Sequence, residues 1–145
     1  MPKDVENMST NYSPNFDLQK RSKKNIKYLI FHYTGIKGDK NAIKKLTSFN
    51  SKVSCHYYID INGKLIQLVP DMYVAWHAGK SYWKNDKSLN NCSIGIEISN
   101  PGHDNGYKNF KKKQIKCLIK VSKILIKKYR IKKYNILGHS DIAPL

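Results

Sequence analysis

The stretch IKYLIFHYTG, residues 26–35, decides how this sequence is read. From Tyr28 to Phe31 it is apolar or aromatic at every position, and Thr34-Gly35 closes it with a turn, so it reads as a strand buried on both sides. Such a strand lies inside a sheet covered by helices. The fold class expected is α/β, a single domain with a central mixed β-sheet flanked by helices. His32 ends the strand and is the first residue whose chemistry needs explaining.

Working outward, NAIKKLTSFN (residues 41–50) places Ile43, Leu46 and Thr47 at helical spacing and predicts a short amphipathic helix. SCHYYIDINGKLIQLV (54–69) holds two alternating runs joined by Asn62-Gly63, a dipeptide preferred where both turn residues take positive φ, and predicts a β-hairpin. Residues 72–91 mix aromatics with Gly, Asn and Lys without a period and are expected to form a long loop. CSIGIEISNPG (92–102) resumes an apolar strand and breaks at Asn100-Pro101-Gly102. Between Lys112 and Tyr129, residues Ile115, Leu118, Ile119, Ser122, Leu125, Ile126 and Tyr129 fall on one helical stripe. Lys116, Lys120, Lys123 and Lys127 line another, which predicts a core-packed helix with its lysines in water. YNILGH (134–139) is a last short strand delivering His139, so two strands end in histidine and both rings can meet at one edge of the sheet. Residues 1–25 carry Pro2, Ser13-Pro14 and a basic cluster without apolar periodicity. They are expected to be a polar leader or loose arm ahead of a domain at 26–145.

Composition bounds the function. The chain of 145 residues has no apolar run near the roughly 18 residues that a membrane-spanning helix needs. Its polar start lacks the apolar core of a secretory signal, which favours a cytoplasmic location, with periplasmic or secreted alternatives open. Three widely spaced cysteines, Cys55, Cys92 and Cys117, form neither a disulfide framework nor a C-x-x-C zinc knuckle and are read as reduced thiols. With 27 Lys+Arg against 10 Asp+Glu, the formal charge of +17 suits polyanionic partners. No helix-turn-helix, RNA-binding or zinc-finger signature accompanies it, so a basic nucleic-acid-binding protein is only a remote alternative.

Zinc takes imidazole, thiolate and carboxylate ligands, and the five histidines are His32, His56, His77, His103 and His139. A single histidine is most often structural, and His103, in the PGHDNG turn, is expected only to be exposed. Five segments carry more weight together: FHYTG, VSCHYYIDINGKLIQLVP, AWHAGKSYW, SIGIEISNPG and LGHSDIAP. In order and spacing they resemble the zinc-dependent N-acetylmuramoyl-L-alanine amidases, the type 2 amidase family that shares its fold with peptidoglycan recognition proteins. The resemblance runs from about Lys27 to the last residue. It implies a zinc cleft at the sheet edge, with His32 and His139 as metal ligands and Glu97 as the acid facing the metal water. His77 and Trp76 match the loop bordering the substrate cleft, His56 and Tyr57 match a motif at the hairpin, and Tyr82 joins them as a cleft residue. Cys55 stands where phage members of the family have a tyrosine. The implied activity is hydrolysis of the amide between the muramoyl lactyl group and L-alanine in peptidoglycan or muropeptides, by zinc-activated water, with the protein as a monomer.

The family places a lysine and a third ligand, Asp or Cys, about eight to ten positions beyond the second histidine, whereas this sequence has six residues after His139. The expectation is therefore an amidase truncated at its C-terminus. A non-catalytic relic that binds muropeptides is the alternative.

Overall fold

The computed structural model describes residues 8–102, 106 and 108–142; His103 and the final three residues lie outside them. The strands of the main sheet are β1 (Ser9–Thr10), β2 (Tyr28–Tyr33), β3 (Tyr57–Ile59), β4 (Leu65–Gln67), β7 (Ser93–Ile98) and β8 (Ile136–Gly138). A separate hairpin pairs β5 (Tyr82–Trp83) with β6 (Asp86–Lys87) inside the expected long loop. The helices are α1 (Asp39–Thr47), α2 (Lys112–Tyr129) and α3 (His139–Ile142). The sheet order is β1-β4-β3-β7-β2-β8. β2 runs parallel to both β7 and β8, while β3 and β4 pair antiparallel, so the sheet is mixed. The expected α/β domain is what the chain forms.

Strand periodicity sorts the side chains into two layers. Leu29, Tyr57, Ile59, Ile94, Ile96 and Ile98 point to one face and pack on Val121, Leu125 and Tyr129 of α2. Burying each of these large side chains contributes roughly 1.5–3 kcal/mol. On the other face, Tyr28 and Ile30 pack with Leu89, Leu137 and Ile142 of α3, and Tyr58 packs with Ala42 and Leu46 of α1. The functional residues belong to this second face.

Three expectations need correction. The core side of α2 is Gln114, Val121, Ser122, Leu125 and Tyr129, whereas Ile115 and Ile119 are exposed. Gln114 accounts for the rotation: its Nε2 donates to Ser99 O at 2.8 Å while its Oε1 accepts the Lys111 N–H at 3.0 Å, which turns this position inward. The β3–β4 turn has positive φ at Gly63 and not at Asn62, and the Gly63 N–H donates to Asp60 O at 3.0 Å. It is a longer loop closed by a left-handed glycine. A Cβ on Gly63 would lie 2.5 Å from the Lys113 carbonyl oxygen, so the turn also needs glycine to seat against α2.

The third correction concerns the expected loose arm. Residues 8–25 are docked on the domain, with β1 pairing parallel to β4. Ser13 and Asn15 are buried. Ser13 Oγ donates to Leu46 O at 2.6 Å, and Asn15 Nδ2 donates to Ser48 O and Val53 O at 2.8 Å each. This segment holds by hydrogen bonds to carbonyls at the end of α1 rather than by an apolar stripe, so hydrophobic periodicity could not reveal it. Among the described residues no helix is long and apolar enough to cross a membrane.

Candidate metal centre and active-site cleft

The parallel pairing of β2 with β7 and β8 carries their C-terminal ends to one edge. There a cleft of about 860 Å³ is lined by His32, Glu97, His139, His77, Tyr33 and Thr34, among others. β8 ends at Gly138, so His139 opens α3 instead of ending the strand. Asp141, the nearest carboxylate in sequence, turns back to accept the Gly138 N–H at 2.8 Å and caps this short helix.

The histidines form a row. The ring centroids of His56 and His77 are 5.9 Å apart, those of His77 and His32 5.1 Å, and those of His32 and His139 5.0 Å. The row starts in the core, where the Gly95 N–H donates to His56 Nδ1 at 3.1 Å. With Nδ1 accepting, Nε2 carries the proton and donates to Tyr73 O at 2.8 Å. The nearby Arg21 Nη2, 3.2 Å from the same nitrogen, is then a close donor beside a donor, and its guanidinium is satisfied by Asp71 O and Asn90 O. Burial first, and Arg21 second, lower the His56 pKa to about 4.

His77 is the middle of the row. Its Nε2 contacts Ser93 Oγ at 3.0 Å and its Nδ1 contacts His32 Nε2 at 2.9 Å. Asn90 Oδ1 fixes its backbone by accepting the N–H groups of His77 and Ala78. The ring lies directly on Gly95, where an added Cβ would come within 2.4 Å of it. Ser93, Gly95 and Glu97 thus share one face of β7: one binds the ring, one makes room for it, and one reaches the cleft. Burial holds His77 well below the ordinary histidine range and lowers His32 to about 3, with charge on His139 the lesser cause at His32.

With Nε2 occupied by His77, His32 presents Nδ1 to the cleft, 3.0 Å from His139 Nδ1. Two imidazole nitrogens sharing a tetrahedral zinc with bonds of about 2.0–2.1 Å stand roughly 3.3 Å apart. The pair therefore fits two positions of a zinc shell. Among the described residues no group of three His, Cys, Asp or Glu side chains completes it. Glu97 lines the same cleft with Oε2 buried and without a hydrogen-bond partner among the described residues, and burial raises its pKa to about 8, opposed by Lys45.

Of the residues expected at the site, the structure gathers His32, His139, Glu97 and His77 at the cleft. Trp76 lines a smaller hollow of about 110 Å³ that also touches Glu97 and His77, and its indole donates to Asp17 Oδ1 at 2.8 Å. His56 and Tyr57 are fully buried and do not line the cleft. Tyr57 points to the α2 face, where its hydroxyl donates to buried Asp71, because adjacent strand residues face opposite ways. Tyr82 is exposed on the β5–β6 hairpin, away from the cleft lining. Arg21 and Ser93 were not singled out from sequence. Ser93 had a usable signal, since it lies two residues before Gly95 and four before Glu97 on one strand face.

The sequence profile of the N-acetylmuramoyl-L-alanine amidases matches residues 22–144. The chain belongs to this family. Zinc dependence is general among its members. The Escherichia coli K12 N-acetylmuramoyl-L-alanine amidase AmiD is 40% identical over 131 residues, covering 82% of this chain and 46% of AmiD. The 1,6-anhydro-N-acetylmuramyl-L-alanine amidase AmpD of Haemophilus influenzae is 33% identical over 97 residues, covering 66% of this chain and 50% of AmpD. The chain spans about half the length of these curated relatives. Among solved structures, Pseudomonas aeruginosa AmpDh3 in complex with anhydromuramic pentapeptide aligns with a TM-score of 0.78 at 29% identity, over 90% of this chain and 56% of that one. E. coli AmiD with the substrate anhydro-N-acetylmuramic acid-L-Ala-D-gamma-Glu-L-Lys aligns with a TM-score of 0.75 at 36% identity, over 88% of this chain and 53% of that one.

Proposed function

We propose that this chain hydrolyses the amide between the lactyl group of N-acetylmuramic acid and L-alanine in muropeptides or peptidoglycan, using zinc. The observation that carries the proposal is the meeting of His32 Nδ1 and His139 Nδ1 at 3.0 Å in a cleft shared with Glu97, whose Oε2 has no hydrogen-bond partner among the described residues. His32 and His139 would hold the zinc, which would supply Lewis acidity toward the scissile carbonyl. Glu97 handles the protons: burial raises its carboxyl above the ordinary carboxylate range, which suits both taking one from the attacking water and giving one to the leaving amine. His77 orients His32, and Ser93 with Gly95 fix His77. The cleft, at about 860 Å³, has room for a sugar and the first residues of a stem peptide.

The direct assay supplies zinc to the chain with anhydro-N-acetylmuramic acid-L-Ala-D-gamma-Glu-L-Lys and follows release of the peptide by mass spectrometry. Release that stops with Glu97→Gln is the expected result. Saturable binding of the intact muropeptide with no release would replace hydrolysis by the muropeptide-binding reading.

A further inference from the structure

The opposite end of the sheet holds a third cavity, of about 420 Å³, near the start of β2. It is separated from the cleft by the length of that strand, about 13 Å from Tyr28 to His32. Buried Ile26, Tyr28 and Tyr129 belong to its lining, together with cations from three different parts of the chain. Lys24 and Lys27 come from the approach to β2, Lys84 from the β5–β6 turn, and Arg130 and Lys132 from the end of α2. Five of the eleven lining residues are basic, a far higher share than the 27 of 145 in the chain, so the Lys-rich composition does not account for it.

The acid in the lining is Asp86, and it is already engaged: it accepts the Tyr28 hydroxyl at 2.5 Å and pairs with Lys27 at 3.5 Å. Lys24, Lys84, Arg130 and Lys132 have no carboxylate partner among the described residues. Two of them gather at one ring, since Lys84 Nζ lies 4.1 Å and Lys132 Nζ 5.8 Å from the Tyr134 ring centre. The backbone adds an independent sign. Lys84 and Arg130 both sit at φ 53°, in the left-handed region where glycine is the unstrained choice, and they are two of four such non-glycine residues among those described. Strained positions that carry like charges to one hollow cost stability unless an anion repays it.

We infer that this cavity binds a phosphate-bearing group, a phosphate or diphosphate ester, through Lys84, Arg130 and Lys132 around Tyr134. Its volume lies in the range of small-ligand sites, and Arg130 supplies the planar fork that matches phosphate oxygens. The group can belong to a soluble molecule or to a lipid headgroup.

The test titrates the full chain with inorganic pyrophosphate by calorimetry and compares it with the Lys84→Gly/Arg130→Gly double variant. Glycine relieves the backbone at both positions, so this variant is expected to melt no lower than the parent, while pyrophosphate affinity falls about tenfold or more. Lys116→Ala/Lys123→Ala removes the same charge from the exposed side of α2 and is expected to leave the affinity within about twofold. Vesicles containing phosphatidylglycerol identify the source: binding that pyrophosphate displaces assigns the group to a headgroup, and no vesicle binding beside tight pyrophosphate binding assigns it to a soluble ester. Absence of saturable pyrophosphate binding, or an equal loss in the α2 control, would overturn the inference.

Discussion

The inner and outer halves of the histidine row differ in what their nitrogens do. His56 and His77 have both ring nitrogens engaged by neighbours within the fold, including Gly95, Tyr73, Ser93 and His32. At the outer end, His32 and His139 turn nitrogens toward each other at the cleft, and Glu97 Oε2 has no hydrogen-bond partner among the described residues. The inner half thus spends its polar atoms on holding a shape. The outer half leaves its polar atoms facing the cleft, and the inner half decides where they point.

The sharpest way to separate the halves is through the reaction. Glu97→Gln preserves the side chain's shape and removes its titration, so the rate of muropeptide cleavage is expected to drop about 10²–10⁴-fold, measured as kcat, with the melting temperature no lower than the parent's. His77→Ala leaves Ser93 Oγ and His32 Nε2 without a partner. It should weaken zinc binding about 10–100-fold although His77 is not assigned as a ligand, a loss readable by competition with a chromophoric chelator. Unchanged zinc affinity would reduce His77 to a packing residue.

Gly95→Ala attacks the seat of the row, because its Cβ would intrude to 2.4 Å from the His77 ring. A loss of about 1–3 kcal/mol is expected in urea unfolding. Gly38→Ala is a useful contrast, since its positive φ of 85° strains the backbone while nothing lies within 4 Å of its added Cβ.

A gentler probe is pH, applied to the protein with chelator present. Folded His56 and His32 titrate near 4 and 3, against 6.5 for the free side chain. Below pH 6.5 the unfolded chain binds protons that the folded chain refuses, so stability rises with pH up to that point, by about 1.4 kcal/mol per unit for each histidine. Glu97 works in the other sense. Its folded pKa of about 8 lies above the free value of 4.5, so stability is lost as pH rises from 4.5 to 8. These two histidines, joined by His77, which burial also holds well below the ordinary range, outweigh one glutamate below 6.5, and between 6.5 and about 8 the glutamate acts alone among these groups. Unfolding free energy should therefore peak near pH 6.5, and Glu97→Gln should flatten the alkaline side alone.

The same contrast explains which parts were legible in the sequence. β2, the β3–β4 hairpin and α2 announce themselves through apolar periodicity, and His32, Glu97 and His139 lie on or beside strands that periodicity can place. The inner half is built from small residues and backbone groups, such as Ser93, Gly95 and the Tyr73 carbonyl, which carry no apolar periodicity. Residues 8–25 failed to register for a related reason: Ser13, Asn15 and Arg21 dock by donating to carbonyls, so a polar segment looked like a loose one. Tyr57 shows the converse error, in which a sequence neighbour of His56 is carried to the opposite face by the two-residue strand period.

The central claim is that His32 and His139 hold zinc, and metal analysis of the purified chain tests it most directly. After zinc is supplied and the excess removed under reducing conditions, the account predicts about one zinc per chain, lost in both His32→Ala and His139→Ala with the fold retained by circular dichroism. A folded parent chain that keeps no zinc, or zinc retained in full by both variants, would contradict it.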